Sequence, residues 1–410
     1  MISFDEAERR FLTLGAEAAS GMGPERVAID AACGRVLAED LVSAADLPAF
    51  DYSAMDGYAV ASASFAGAGP WTLPVLGESR TGGVPEDLLP GCACRIFTGA
   101  PVPRGADAVV MQERVARAGE RATFDAKPKP GAHIRRRGED LARGAVAIER
   151  GTRLRPAHVG LAATCDRAWV DVARRPLVTV VSTGDELRSP GTAASVGRET
   201  SIPESNGVAL RAMAERAGAA ARIAPIVPDD REATERAIAV ALDGCDVLVT
   251  VGGVSVGDHD WVRPALEGTG VTLDFWKVAI KPGKPLVLGR RGRSIVVGLP
   301  GNPASAMITF ALFGLPLLRA MQGDRAPVAP RRTARCAGFT RAEGGRTEFV
   351  RVALAQGDDG ETWASPLANQ ASGATASLAR ADALLRVPAE ATQIARGEAC
   401  QVILLGELGL

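Results

Sequence analysis

Val247-Leu-Val-Thr-Val-Gly-Gly-Val-Ser-Val-Gly-Asp-His-Asp260 makes two opposed demands in one stretch. Val247–Val251 is an apolar, largely β-branched run, the pattern of a strand buried on both faces. It stops at Gly252 and Gly253, passes through Ser255 and Gly257, and closes on Asp258 and Asp260. Glycine amides can approach an anion closely, whereas two carboxylates repel one. A hard divalent cation, commonly Mg²⁺, satisfies both by bridging carboxylates to phosphate-like oxygens.

Reading outward, strands and helices alternate from Leu177 to Met321. Strands are expected at Leu177–Val181, Ile223–Val227, Val247–Val251, Leu286–Leu288 and Ile295–Val297. Helices are expected at Val208–Glu215, Arg231–Leu242, Asp260–Leu266 and Asn302–Met321, the last bent at Gly314 and Pro316. This order predicts a doubly wound, largely parallel α/β sheet. Ligands of such sheets bind beyond the carboxyl ends of the strands. Two further strand ends carry glycine there, in Ser182-Thr-Gly-Asp-Glu-Leu187 and Gly298-Leu-Pro-Gly-Asn302. Between them Ile280-Lys-Pro-Gly-Lys-Pro285 holds two lysines in a loop stiffened by proline. Singly, each piece reads as a turn, a helix cap or a solvated loop. Four on one edge of one sheet point to an oxyanion site. Neither G-x-x-x-x-G-K-[ST] nor G-x-G-x-x-G occurs in this region.

The 410 residues are too many for one ordinary core. With 47% hydrophobic and 23% charged residues the composition is globular, and a net charge of -1 steers the chain to neither nucleic acid nor an anionic membrane. Seven scattered cysteines without a C-x-x-C pair suggest reduced thiols and a cytoplasmic location. Three histidines make a His/Cys zinc site improbable. No apolar run is long enough to span a bilayer, Ala304–Leu318 being the longest, and no signal peptide is evident.

Ser3 and Glu6 signal a capped first helix, and Pro24 to Asp46 reads as short strand and helix pieces. Residues 47 to 147 are β-rich, with runs at Cys94–Phe97, Ala108–Met111 and Val146–Ile148 among Gly and Pro turns. His158 to Ala168 reads as helical. After Pro327 strands return at Arg332–Phe339, Thr347–Leu354, Leu384–Val387 and Cys400–Leu405, as in a small barrel. Asp51 and Asp56 precede a strand, where turn chemistry explains them. Arg135-Arg-Arg-Gly-Glu-Asp140 reads as a solvated surface turn.

Seven segments, in one order along nearly the whole chain, resemble the molybdopterin molybdenumtransferase family, to which the E domain of gephyrin is related. They are Ser53-Ala-Met-Asp-Gly-Tyr-Ala-Val60; Phe97-Thr-Gly-Ala-Pro-Val-Pro103 with Gly105-Ala-Asp-Ala-Val-Val-Met-Gln-Glu113; Arg137-Gly-Glu-Asp140; Ser182-Thr-Gly-Asp-Glu-Leu187; Gly252-Gly-Val-Ser-Val-Gly-Asp258; Lys281-Pro-Gly-Lys-Pro285; and Gly298-Leu-Pro-Gly-Asn-Pro303. The resemblance implies four domains. They are a split, elongated one (1–46 and 147–175), a β-rich insert (47–146), the α/β molybdopterin-binding module (176–326) and a C-terminal β-barrel (327–410). It also implies a homodimer with its cleft between protomers. The implied reaction places molybdate on adenylylated molybdopterin and releases AMP, with Mg²⁺ as helper and the molybdopterin adenylyltransferase upstream as a partner.

The resemblance also implies site residues. Asp56, Asp140, Glu186 and Asp260 match acidic positions of the family's cleft, and Lys277, Lys281 and Lys284 basic ones. Glu186, Asp258 and Asp260 are candidate metal ligands, joined by one of Asp229 and Asp230, with Asp230 chosen. Thr98, Gly252, Gly253, Ser255, Gly257, Lys284, Pro285 and Asn302 are expected at the substrate, and Arg346 and Ser372 as contributions of the fourth domain. Which acids hold metal and which orient a water stays open. Two other readings compete: a molybdopterin adenylyltransferase, and a scaffold that keeps the cleft.

Overall fold

The structure, a computed structural model, describes residues 1–193, 200–253, 261–358 and 360–410. A six-stranded sheet forms the α/β unit, in the order Ala220–Ile223, Leu177–Ser182, Val247–Val251, Ser294–Leu299, Pro285–Arg291, Thr272–Lys277. The first four run parallel, and the last two add an antiparallel edge. Period-two alternation serves two cores. Val178, Val180, Val247, Val249, Ile295 and Val297 face one core, while Val181, Leu248 and Val296 face the other. The first core packs against the helices Asn206–Arg216 and Pro303–Met321, the second against Arg231–Asp243 and Val262–Gly268.

Two sequence expectations shift, and two strands lie outside them. The second strand is Ala220–Ile223 rather than Ile223–Val227, in parallel register with Leu177–Val180. Pro225 has no N–H for a ladder, and only a single bridge, Thr183 to Val227, lies beyond it. The helix expected at His158–Ala168 spans Pro156–Thr164. Asp166 then takes a left-handed φ of 60°, and an unforeseen strand, Trp169–Ala173, follows. Thr272–Lys277, whose mixed composition hid it, is also a strand.

The helix Pro303–Met321 is long and apolar enough to cross a membrane, but 89% of its most apolar 18-residue stretch is buried inside the molecule. It is a core helix. At the expected irregularity, Phe310–Gly314 forms a π turn. Pro316 cannot donate to the carbonyl of Leu312, and the wider turn accommodates that loss.

Ser3 caps the first helix, Phe4–Ala19, its Oγ accepting from the Glu6 amide at 3.2 Å. This helix packs on the α/β core: Phe4 meets Phe313 and Phe349, and Phe11 meets Phe275 and Phe313. The next strand, Pro24–Ala28, pairs instead with Trp169–Ala173. Residues 57 to 124 hold a second six-stranded sheet. C-terminally, Thr347–Gln356, Thr362–Pro366, Arg332–Cys336, Ala399–Leu404 and Ala383–Val387 close into a five-stranded barrel, since the last pairs back with the first. Thr362–Pro366 is the barrel strand missing from the sequence reading. The expected combination of α/β module, β-rich insert and C-terminal barrel is the architecture observed.

Candidate active site at the carboxyl ends of the sheet

A cavity of about 350 Å³ opens where three parallel strands end. Ser182, Thr183 and Glu186 line it from the first, Val251 and Gly252 from the second, and Gly301, Asn302 and Pro303 from the third. Glu186, Gly252 and Asn302, expected at the site, thus come together. The Glu186 side chain is exposed and has no partner among the described residues. Gly252 holds φ +86°, and a Cβ there would stand 3.1 Å from the Thr183 carbonyl oxygen. Both the backbone angle and the space require glycine. Gly253 follows at φ +60°. Ser255, Gly257, Asp258 and Asp260 lie outside the described residues.

One wall of this cavity carried no sequence signal beyond ordinary cap chemistry. Glu204, 4% exposed, accepts from Ser182 Oγ at 3.1 Å and from the Gly207 amide at 2.7 Å. It pins Ile202–Asn206 against the strand end. Asn206 Nδ2 donates to the Gly301 carbonyl at 2.9 Å, while its Oδ1 is buried without a partner.

The neighbouring acids divide their tasks. Asp230 caps the helix Arg231–Asp243, its Oδ1 accepting from the Ala233 amide at 2.8 Å. Asp229, the other residue held open, turns to Asp185. Each carboxylate accepts from the other residue's backbone N–H at 3.3 Å. Among the described residues no three His, Cys, Asp or Glu side chains form a metal cage.

The lysine loop belongs to two domains at once. Ile280–Lys281 pairs in parallel with Thr347–Glu348 of the barrel. Lys281 Nζ lies 2.8 Å from Glu348 Oε1. Gly283, at φ +101°, passes so close to Thr309 Oγ1 that a Cβ would collide with it. The Lys277 carbonyl accepts from the Ile2 amide at 3.1 Å, and Pro285 pairs with Lys277 across the sheet edge. Lys284 is exposed.

Ser372 reaches the same helix from the C-terminal region. Its carbonyl accepts from the Ser305 amide at 3.1 Å, satisfying one of the free N–H groups at that helix start. Arg351, absent from the sequence reading, holds the Ser372 loop. It is 2% exposed, and its guanidinium donates to the Ala374 and Ala371 carbonyls at 3.0 Å and to Gln370 Oε1 at 3.3 Å. Burial makes its proton easier to lose. Arg346, the expected residue, is half-buried, and its carbonyl accepts from Arg341 at 2.7 Å. The signal for Arg351 was its place within the apolar run Phe349–Leu354.

Asp56, Thr98 and Asp140 lie elsewhere. Asp56 Oδ1 accepts from the Thr98 amide at 2.7 Å and from Thr98 Oγ1 at 2.8 Å. Those hydrogen bonds hold the carboxyl below its ordinary range. Asp140 is exposed. Among the described residues no hydrogen bond or ion pair joins residues 47–146 to the α/β unit of the same chain. The arginine triplet is a stapled turn rather than a free one: Arg135 pairs with Glu139, Arg136 with Asp51 and Arg137 with Asp46.

Comparison with known proteins covers the chain in three segments. Residues 2–165 match the MoeA N-terminal region (domain I and II), 179–320 a probable molybdopterin binding domain, and 333–405 the MoeA C-terminal region (domain IV). Molybdopterin molybdenumtransferase 2 of Mycobacterium tuberculosis is 38% identical over 92% of this chain and 94% of its own length. The molybdopterin molybdenumtransferase of Bacillus subtilis is 33% identical over 99% and 94%. The crystal structure of a molybdopterin biosynthesis moeA protein from Pyrococcus horikoshii OT3 superposes with a TM-score of 0.83, at 28% identity over 98% of this chain and all of its own.

Proposed function

The chain belongs to the molybdopterin molybdenumtransferase (MoeA) family of enzymes, and on that premise we propose that it inserts molybdate into adenylylated molybdopterin, cleaving the phosphoanhydride and releasing AMP. The observation that carries this reading is the cavity that joins Glu186, Gly252 and Asn302 at three strand ends. A diphosphate with its charge spread over several oxygens suits glycine amides on one side and ammonium groups on the other.

In this reading the Gly252–Gly257 segment and Asn302 hold phosphate oxygens. Lys281 and Lys284, backed by Pro285, hold the molybdate dianion, with Lys277 behind them. Arg351 keeps the Ser372 loop against the helix start, so the barrel closes one side of the cleft. Glu186 and Asp260 orient the water or oxyanion that attacks the anhydride. Asp56, Thr98 and Asp140 are supplied by a second protomer, in a cytoplasmic homodimer that receives substrate from the upstream adenylyltransferase.

The donor chemistry fits Mg²⁺, since Glu186 is a carboxylate without a partner among the described residues beside the cavity. Glu186, Asp258 and Asp260 would hold the ion, with Asp229 rather than Asp230 as the fourth acid, because Asp230 is committed to a helix cap. When bound it neutralises charge that develops on the anhydride oxygens.

Purified protein given adenylylated molybdopterin, molybdate and Mg²⁺ tests this reading. AMP release and molybdenum incorporation should depend on molybdate and be lost in Glu186→Gln. AMP release without molybdate incorporation, or consumption of ATP instead, would sink it.

A further inference from the structure

The lysine loop meets the barrel through a buried charge cluster. Glu348 has a side chain 7% exposed and Arg341 one 6% exposed, their closest approach being 3.4 Å. Arg341 donates to four backbone carbonyls as well, those of Arg346, Pro388, Ala389 and Ala391, at 2.7 to 3.1 Å. Its bond to Glu348 is the longest of the set, so the buried carboxylate needs a second cation. Lys281, 49% exposed, supplies it at 2.8 Å. The parallel pairing that sets Lys281 opposite Glu348 brings the two side by side.

We propose that Glu348 is a positioning residue for oxyanion capture, holding the Lys281 ammonium where it meets molybdate; this rests on the assignment of Lys281 above. An ammonium has three donors. One goes to Glu348, and the rest stay available on the exposed side. A free lysine would have to be ordered by the incoming anion at a cost in side-chain entropy. A carboxylate beside the lysine also weakens its attraction for an anion. Here Arg341 offsets that effect, because one carboxylate and two cations leave the cluster a net positive charge. The order gained therefore outweighs the field lost. The barrel thus takes part in anion binding through a residue that never touches the anion.

The test uses the full chain, sodium molybdate as the probe, and both calorimetric binding and the dependence of turnover on molybdate. Glu348→Gln should raise the Kd and KM for molybdate about threefold to tenfold, the scale of a charge-assisted hydrogen bond to a half-exposed partner. Its kcat at saturating molybdate should stay within about twofold of the parent, a split that mere loosening of the barrel would not produce. In a Lys281→Met background the same substitution should add nothing. Glu348→Asp keeps the charge, shortens its reach, and should weaken binding in smaller measure; it serves should Glu348→Gln fail to fold. Unchanged or tighter molybdate binding in Glu348→Gln overturns the proposal, as does a loss that persists in Lys281→Met. If Lys281→Met alone binds molybdate normally, the assignment of the lysine fails, and Glu348's role with it.

Discussion

At residue scale, Glu186 and Arg351 show how exposure separates chemistry from support. Glu186 is an exposed acid beside the cavity whose side chain has no partner among the described residues. Its removal leaves no buried group unpaired. Glu186→Gln should therefore shift unfolding free energy by under about 0.5 kcal/mol while turnover falls at least about tenfold. Chemical denaturation and AMP release, measured together, check this. Arg351 is the opposite case. It is fully buried, and two carbonyls and an amide oxygen depend on it. Arg351→Met should cost about 2–4 kcal/mol, because those acceptors lose a charged donor inside the protein. A urea midpoint equal to the parent's would refute that.

At the scale of elements, the useful distinction is between two adjacent aspartates. Asp230 caps the helix Arg231–Asp243, and Asp229 faces Asp185 at the strand ends. Asp230→Ala should cost about 1 kcal/mol of stability with kcat/KM nearly intact. Asp229→Ala should do the reverse. Turnover lost in Asp230→Ala and kept in Asp229→Ala would exchange the two roles. The lysine loop obeys a similar logic. Gly283 fits only because it has no Cβ against Thr309, so Gly283→Ala should displace both lysines and lower molybdate affinity.

At the scale of the molecule, Asp56, Thr98 and Asp140 do not line the strand-end cavity of their own chain. Mixing Asp56→Ala with Glu186→Gln should therefore restore activity. In the proposed homodimer, random pairing gives hybrids in which one cleft of two is intact, about one quarter of the parental activity. No recovery after exchange of subunits would place these acids in separate functions. Acid stability belongs to this scale as well. Asp46 is held low by the Arg143 amide and Arg137. For Asp51, partial burial pushes the carboxyl up, but the Arg137 amide and Arg136 hold it below the ordinary 3.8. Asp56 is lowered by Thr98. A carboxyl lowered on folding takes up a proton on unfolding, so its contribution is present above about pH 4 and lost as pH falls through the folded value. Tm should fall between about pH 5 and pH 3, less steeply in Asp51→Asn.

Much of this was legible locally. Runs such as Val247–Val251 have to be buried, and glycine at their ends has to turn, whatever surrounds them. Ser3 caps a helix within its own three residues. The sequence alone therefore determined the α/β module, the β-rich flanks, the loops at the strand ends and the family. It did not separate Asp229 from Asp230, because an aspartate at either position can cap a helix. It did not show that Arg351 holds the Ser372 loop, or that Glu348 meets Lys281, because those contacts depend on which chain segments lie side by side. Strand register and the packing of the barrel on the lysine loop decide them, through contacts between residues far apart in sequence. Hydrophobic pattern and turn chemistry act over a few residues and are written in order along the chain; the pairing of buried charges across domains is set only when the whole chain closes.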